Sequence, residues 1–583
     1  MKLLSGKFSS SFTYLNATQF LGALNDNVFK FLIIFFLIDM QGVNESPRIM
    51  AYAGGIFVIP FLLFSTPSGK LADRFSKRNI IVFSKALEIL VMSLGVLAFF
   101  LGSSVGAYSI LFLMATQSAI FSPSKYGIVP ELVSYERLSQ ANGLLTTFTF
   151  LAIIVGTFLA GFLTEVSGRN FIVASLICTL IAIIGLWTSL QIEFTPPAGA
   201  KKKFDFFLSE VYTTLKSARQ HNRLYCAMWG SAFFLFMGAY MQLNIIPFAI
   251  QSLELTDVQG SYLFLITAIG IGTGSAIAGK LSGSHVELGL APFAGLGMVI
   301  CCFLLYFFST KLSVVIPVVI LTGLFGGIWV VPFDSFIQAF SPDHARGQMV
   351  AATNFLGFVG VLCASALIYI LSEILHLQAA KGFLIMSFIC LGITIAITMA
   401  TLDFFLRFSS HTLSKIFFNL NVSGYDNVPT KSPSLILCDR PSSWIDTLLL
   451  TSIQRPPLRF LIESDRYKNI WMKRFFRLFR VVLIPPHYLE EEREKVCNIA
   501  KAGLDKGFTV CIFTKVNEDN NNVMKKYMEE FHEFFEHTSY FIIPVTIDEK
   551  PLHPESGKLI DLLKGFPWSV SISFGPIRKP HHD

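Results

Sequence analysis

From about residue 12 to residue 406 the chain alternates long apolar runs with short polar breaks, and no other feature limits its fold so tightly. Roughly 20 consecutive apolar residues carry a helix across the hydrocarbon core of a bilayer. About twelve such runs occur, centred near Phe29, Ile59, Leu90, Leu113, Ile153, Thr179, Phe236, Ala268, Ile300, Leu321, Phe358 and Ile393. The 583 residues are 53% hydrophobic and only 15% charged, against about 25% charged in ordinary soluble proteins. Lipid must therefore be the solvent for most of the length, which excludes a soluble enzyme, a disordered scaffold and a secreted module. The net charge of +7 is small for this length, so no nucleic-acid partner is expected. Nine cysteines lie scattered without a CxxC pair and read as small buried apolar side chains. No metal or cofactor is expected.

Charge divides the chain in two. From Arg407 onward charged residues become frequent and no apolar stretch is long enough to span. The expected organisation is a membrane domain over residues 1–406 and a globular domain over 407–583. The N-terminus does not read as a cleavable signal, because Asn25-Asp26-Asn27 interrupts the first apolar run. Lys70, Arg74, Lys77, Arg78, Lys125, Arg137, Lys201, Lys202, Lys203, Lys280 and Arg346 fall at one set of connections. Arg48, Arg169, Lys311 and Lys381 fall at the other. The positive-inside rule then puts both termini, the 192–222 connector and the C-terminal domain in the cytoplasm.

The connector separates two halves, about 1–191 and 223–406, that echo each other. Gly69-Lys-Leu-Ala recurs 210 residues later as Gly279-Lys-Leu-Ser, Pro123 recurs as Pro332, and Asn142 as Asn354. Parallel six-span halves joined by a basic loop describe a rocking secondary transporter with its substrate between the halves. A channel or a multi-span membrane enzyme is the alternative. Two ladders of small residues, Ala152/Gly156/Ala160 and Gly270/Gly274/Ala278, read as close helix packing.

Gly69-Lys-Leu-Ala-Asp73-Arg74-Phe-Ser-Lys77-Arg78 resembles the cytoplasmic signature of the major facilitator superfamily between its second and third spans. The resemblance implies a cytoplasmic gate in which Gly69 lets helices approach closely. Asp73 suits a helix N-terminus in the opposite half, and Arg74, Lys77 and Arg78 form charge pairs that break as the halves rock. A basic loop obeying only the positive-inside rule is the alternative.

Charged residues at membrane depth cost about 2.5–3.5 kcal/mol on insertion scales and so face a cavity or a partner. Asn25, Asp26, Asn27 and Lys30 interrupt the first span, and Glu88, Lys125 and Asp334 sit in or beside others. Lys30 is one helical turn after Asp26, so the two either neutralise each other or join a polar patch for a zwitterionic or anionic head group, with Lys125 on a phosphate. Phe20-Leu-Gly-Ala-Leu-Asn-Asp-Asn-Val-Phe-Lys30, Phe121-Ser-Pro-Ser-Lys-Tyr-Gly-Ile-Val-Pro-Glu-Leu132 and Leu138-Ser-Gln-Ala-Asn-Gly143 resemble stretches of bacterial lysophospholipid transporters. Pro332-Phe-Asp334 and Gly347-Gln-Met-Val-Ala-Ala-Thr-Asn354 carry a looser likeness. The resemblance implies inward flipping of lysophospholipids such as lysophosphatidylethanolamine across a bacterial inner membrane, with a facilitator for another amphipathic solute as the alternative. It also implies a substrate role for Asp26 and Lys125, in a cavity completed by Asn142, Asp334 and Asn354. No span carries a serial Asp/Glu/His relay, so proton coupling has no support.

Residues 407–583 alternate buried-strand patterns (434–438, 481–484, 509–513, 540–547 and 569–574) with helical stretches, which predicts an α/β layer domain. Val422-Ser-Gly-Tyr-Asp-Asn-Val-Pro429, Pro457-Leu-Arg-Phe460 and Ile543-Pro-Val545 resemble landmarks of the glycerolipid acyltransferases. That family uses His-x4-Asp, the His taking a proton from the acceptor hydroxyl. Here Ser443 and Asp446 remain, but Pro441 stands five positions before Asp446 and offers no base. The family's Phe-Pro-Glu-Gly stretch appears as Phe513-Thr-Lys-Val516. The expectation is a lysolipid-binding or regulatory acyltransferase-like domain without catalysis, and the alternative is an enzyme that still reacylates the lipid. No acyl-activating signature occurs, so activation would need a separate partner, an acyl-activating enzyme or an acyl carrier protein. Lys473, Arg474, Arg477 and Arg480, interleaved with aromatic residues, suit either a surface against anionic membrane lipid or an ordinary solvated helix face.

Overall fold

The computed structural model describes residues 8–42, 45–199, 207–283, 285–424, 427–429, 433–438, 444–453, 458–463, 481–484, 493–505, 508–513, 540–549 and 568–576. The chain divides into two compact units, Met1–Thr401 and Leu402–Asp583.

Twelve helices among the described residues of the first unit are long and apolar enough to cross a membrane. In the first half they are α1 (Ser10–Gln41), α2 (Ser46–Arg74), α3 (Lys77–Phe100), α4 (Ser104–Gly127), α6 (Leu138–Val166) and α7 (Phe171–Leu190), with a short α5 (Val129–Leu132) before α6. The second half holds α9 (Asn222–Leu253), α10 (Asp257–Leu281), α11 (Leu290–Phe307), α12 (Leu312–Phe340), α13 (Arg346–Tyr369) and α14 (Ala379–Ala400). Each sequence-derived centre falls inside one of these helices. The connector also holds a helix, α8 (Phe207–Arg219), which the sequence reading treats only as a basic loop.

Side chains outside the packed interior are large and apolar, as a lipid-facing surface requires: Phe83, Phe100, Phe158, Leu180, Phe388 and Met399 are all exposed. The small-residue ladders do pack helix on helix. A Cβ at Gly156 would lie 2.8 Å from the Leu24 carbonyl of α1, and one at Gly270 would meet the Ile320 carbonyl of α12 at 2.2 Å. All nine cysteines are free thiols, and Cys363 is exposed rather than buried.

The second unit begins with α15 (Leu402–Phe417), so the residue-407 boundary falls inside a helix. Composition changes only after that helix has started. Its sheet has seven strands: β1 (Phe418–Ser423), β2 (Ser434–Cys438), β3 (Leu458–Glu463), β4 (Val482–Ile484), β5 (Thr509–Phe513), β6 (Phe541–Glu549) and β7 (Trp568–Phe574). Their order is β1-β7-β6-β2-β5-β3-β4, parallel throughout except for the antiparallel β6–β7 pair. The sequence patterns named five of these strands. β1 and β3 are additional, and β1 alternates buried and open positions as a half-covered edge strand does.

Every residue of β2 and β5 is buried. Ile436, Cys438, Cys511 and Ile543 point to one apolar layer, with Leu449 and Leu450 of α16 (Trp444–Ile453). Leu435, Leu437, Val510 and Ile512 point to the other, against Val496 and Ala500 of α17 (Arg493–Leu504). Gly424, in the Val422–Pro429 motif, has φ +67°, and a Cβ there would strike the Phe574 carbonyl at 2.0 Å. Asn427 Nδ2 donates to the Phe574 and Gly575 carbonyls. The motif thus fastens β1 to the end of β7.

Candidate functional site

The halves of the first unit meet along two helix seams on the side of the basic connections. In the first, α2 lies against α13. Gly69 leaves so little room that a Cβ would sit 2.5 Å from the Ala351 side chain and 2.6 Å from the Gly347 carbonyl. Asp73, fully buried, accepts the N–H of Gly347 at 2.6 Å and that of Gln348 at 2.9 Å. These are free donors of the first turn of α13, and the helix dipole favours an anion there. Farther along the seam Phe61 stacks on Phe358, with ring centroids 4.3 Å apart.

In the second seam α6 lies against α10. A Cβ at Gly143 would fall 2.6 Å from the Ser275 carbonyl. Thr147 Oγ1 donates to the Gly272 carbonyl at 2.8 Å. The position matching Asp73 is Gly283, which has φ +60° and ends α10 in the left-handed region. The duplicated motif has therefore kept its carboxylate on one seam only.

Both asparagines of the repeat also make hydrogen bonds across the halves, three at Asn142 and one at Asn354. Asn142 Nδ2 donates to Gln338 Oε1 at 3.0 Å and to Ser335 Oγ at 3.2 Å, and Gln338 Nε2 returns a bond to Asn142 Oδ1 at 2.8 Å. Asn354 Nδ2 donates to Ser122 Oγ at 2.9 Å. Asn142 is fully enclosed by these bonds and belongs to the closed interface instead of an open cavity. Asn354 stays partly accessible.

The expected charge pairs of the basic loop do not cross the interface. Lys77 pairs with Glu131 at 2.5 Å, and Arg78 donates to the Leu190 and Ile192 carbonyls, all within the first half. Arg74 is exposed, over the Phe75 ring. Arg346 turns back on the Gln338 carbonyl and Asp343 of its own half. Of the expected gate residues, Gly69 and Asp73 make the contacts between halves. Lys70 pairs with Glu210 of the connector helix α8, both side chains nearly buried.

Between the halves and above these seams lies a polar set on α1, α4 and α12. Asp26 Oδ2 accepts from Ser118 of α4 at 2.5 Å and is partly accessible. Lys30 does not pair with Asp26; its ammonium lies 5.1 Å from the Phe31 ring centroid and 5.5 Å from that of Phe57. Lys125 rests over Tyr126 at 4.4 Å and is within electrostatic reach of both Asp26 and Asp334. Asp334 accepts from Ser231 of α9 at 2.6 Å. Lys30, Lys125 and Asp334 are all partly accessible, and neither lysine makes an ion pair within 4.0 Å among the described residues. An ammonium held over an aromatic face keeps part of its partner energy while remaining open to a new anion.

Asn25 and Asn27 do not join this set. Asn25, fully buried, donates to Glu88 Oε1 at 2.9 Å, and Asn27 donates to the Ala23 carbonyl of its own helix at 2.7 Å. Glu88 also accepts from Lys85 at 2.6 Å, so a buried Lys85–Glu88–Asn25 cluster backs the Asp26 site. Sequence reasoning missed Lys85, although a lysine one turn before a glutamate in an apolar run was a visible signal. Ser118, Ser231 and Gln338 were missed as well, since a lone hydroxyl or amide in a span has no signature.

In the second unit, Asp446 sits in the first turn of α16, fully buried. Ser443 and Pro441 lie outside the described residues. So do Lys473, Arg474, Arg477 and Arg480, and the Thr514–Val516 stretch.

A family model described as Major Facilitator Superfamily matches residues 16–365, more than half of the chain. The chain belongs to the Major Facilitator Superfamily. A superfamily relative called lysophospholipid transporter LplT, from Klebsiella pneumoniae, is 25% identical over 342 residues, 58% of this chain and 82% of the relative. LplT of an Enterobacter species is 26% identical over 349 residues, 57% of this chain and 81% of that protein. Among solved superfamily structures, the Escherichia coli fucose:proton symporter FucP aligns with a TM-score of 0.56 at 15% identity. That alignment spans 67% of this chain and 98% of FucP. This likeness shows the multi-pass helical fold of the first unit.

Proposed function

We propose that the protein moves lysophospholipids inward across a bacterial inner membrane, and that the Asp26–Lys125–Asp334 set receives the head group. The similarity to LplT proteins over four fifths of their length supports this reading. The observation that carries it is Lys125: a partly accessible ammonium over an aromatic ring, between the two halves, with no carboxylate within 4.0 Å among the described residues. A phosphate entering there gains a charge-assisted hydrogen bond without displacing an existing ion pair. Phe31, Phe57 and Phe121 beside the two lysines suit the single acyl chain of such a cargo. Asp73 and Gly69 act as the cytoplasmic gate, which must part to release the lipid inward.

The C-terminal unit serves as an acyltransferase-like domain that binds lysolipid without turning it over. The lack of a base five positions before Asp446 supports this, because Pro441 has no side-chain group to take the proton of an acceptor hydroxyl. The test is uptake of labelled lysophosphatidylethanolamine by spheroplasts. Uptake should require the gene and fall with Asp26→Ala, and unchanged uptake on deletion rejects the proposal.

A further inference from the structure

Lys125 and Asp334 hold the same position in the two halves. Each stands two residues after the repeated proline, Pro123 in α4 and Pro332 in α12. The duplication therefore presents a cation from one copy and an anion from the other. The two groups are within electrostatic reach but form no ion pair. Lys125 is held by the Tyr126 ring at 4.4 Å and Asp334 by Ser231 at 2.6 Å. Each lies within one turn of a bond that crosses the interface: Ser122 to Asn354 just before Lys125, and Asn142 to Ser335 just after Asp334. Closing the halves thus fixes the gap between the two charges.

We propose that this split pair selects head groups with separated charges, a phosphate going to Lys125 and an ammonium to Asp334. The preferred cargo is then a zwitterionic lysophospholipid with a primary amine, over one whose head group carries a phosphate alone. A zwitterion satisfies both residues at once. An anionic head group satisfies Lys125 and leaves Asp334 facing added negative charge, which costs affinity. The inference rests on the lysophospholipid reading above and adds the residue that discriminates among its members.

The test compares uptake of lysophosphatidylethanolamine and lysophosphatidylglycerol by the full chain in proteoliposomes. Asp334→Asn should lower the ratio of the first to the second roughly tenfold. Asp334→Glu should keep the preference, and Lys125→Gln should lower both. The yield and melting temperature of each purified variant check separately that it folds. Ser231→Ala, which loosens Asp334, should shift the ratio in the same direction. Equal loss of both lipids in Asp334→Asn, or an unchanged ratio in it and in Ser231→Ala, overturns the inference while the transport reading stands. Uptake of neither lipid by the wild type overturns both.

Discussion

The carboxylate of Asp73, at the end of α2, caps the first turn of α13 in the opposite half through the backbone N–H of Gly347 at 2.6 Å. A buried charge-assisted bond of this kind is worth about 1.5–3 kcal/mol. Asp73→Ala should therefore shift the equilibrium roughly tenfold or more toward separation of the α2–α13 seam. Labelling of a cysteine placed at Ala351 by a membrane-impermeant maleimide, applied to inside-out vesicles, measures the shift. Unchanged labelling would show that the cap does not hold the seam.

The same seam depends on the absence of a side chain at Gly69, where a Cβ would meet the Ala351 side chain and the Gly347 carbonyl at 2.5–2.6 Å. Backbone on one side of that contact leaves no cheap escape. Gly69→Ala should prop the seam open and cut transport severalfold. Gly54→Ala is the control, since nothing lies within 4 Å of a Cβ there. Equal activity of the two variants would count against close packing at Gly69.

Lys70 and Glu210 form a nearly buried pair joining α2 to the connector helix α8. Removing one partner of such a pair typically costs about 3–5 kcal/mol, because the other charge is left in a poor dielectric. Glu210→Gln should lower the melting temperature of the purified protein, and Lys70→Met with Glu210→Leu should recover most of the loss. A double variant as unstable as the single one would mean that the charge itself is not what matters there.

Lys85 reaches Glu88 across a space left by Gly22, where a Cβ would lie 2.3 Å from the ammonium. Gly22→Ala should displace the ammonium and strand Glu88 beside Asp26. Lower yield and stability are expected, with substrate binding weakened further by the added negative charge near Asp26. Lys85→Met combined with Glu88→Leu in the Gly22→Ala background removes the stranded charge and should restore both stability and binding. Binding measured by tryptophan quenching, with melting measured in parallel, separates the two effects.

The sequence contains the helices almost in full, because an apolar run of spanning length has few other uses in lipid. Duplication follows from three short repeats, and lysine placement sets the expected orientation. The partners of the charged loop were not legible. Lys77 and Arg78 lie in the same short motif as Asp73, yet they bind inside their own half while Asp73 crosses. Spacing in one dimension does not say on which side of a helix end each side chain emerges. Asn142 was visible as a repeated polar residue, but its partner Gln338 is 196 positions away and carries no motif. The polar set proposed for the head group is legible in part: Lys125 lies within electrostatic reach of Asp26 and Asp334, whereas Asn25 turns to Glu88.

Gly283 stands where the other repeat has Asp73, and this makes the two lips of the closure unlike. The α2–α13 lip is latched by an anion, while the α6–α10 lip is held by backbone contact and a neutral hydroxyl. Parting the first lip therefore breaks a charge-assisted bond and parting the second does not, so the two sides of the closure resist opening through different chemistry.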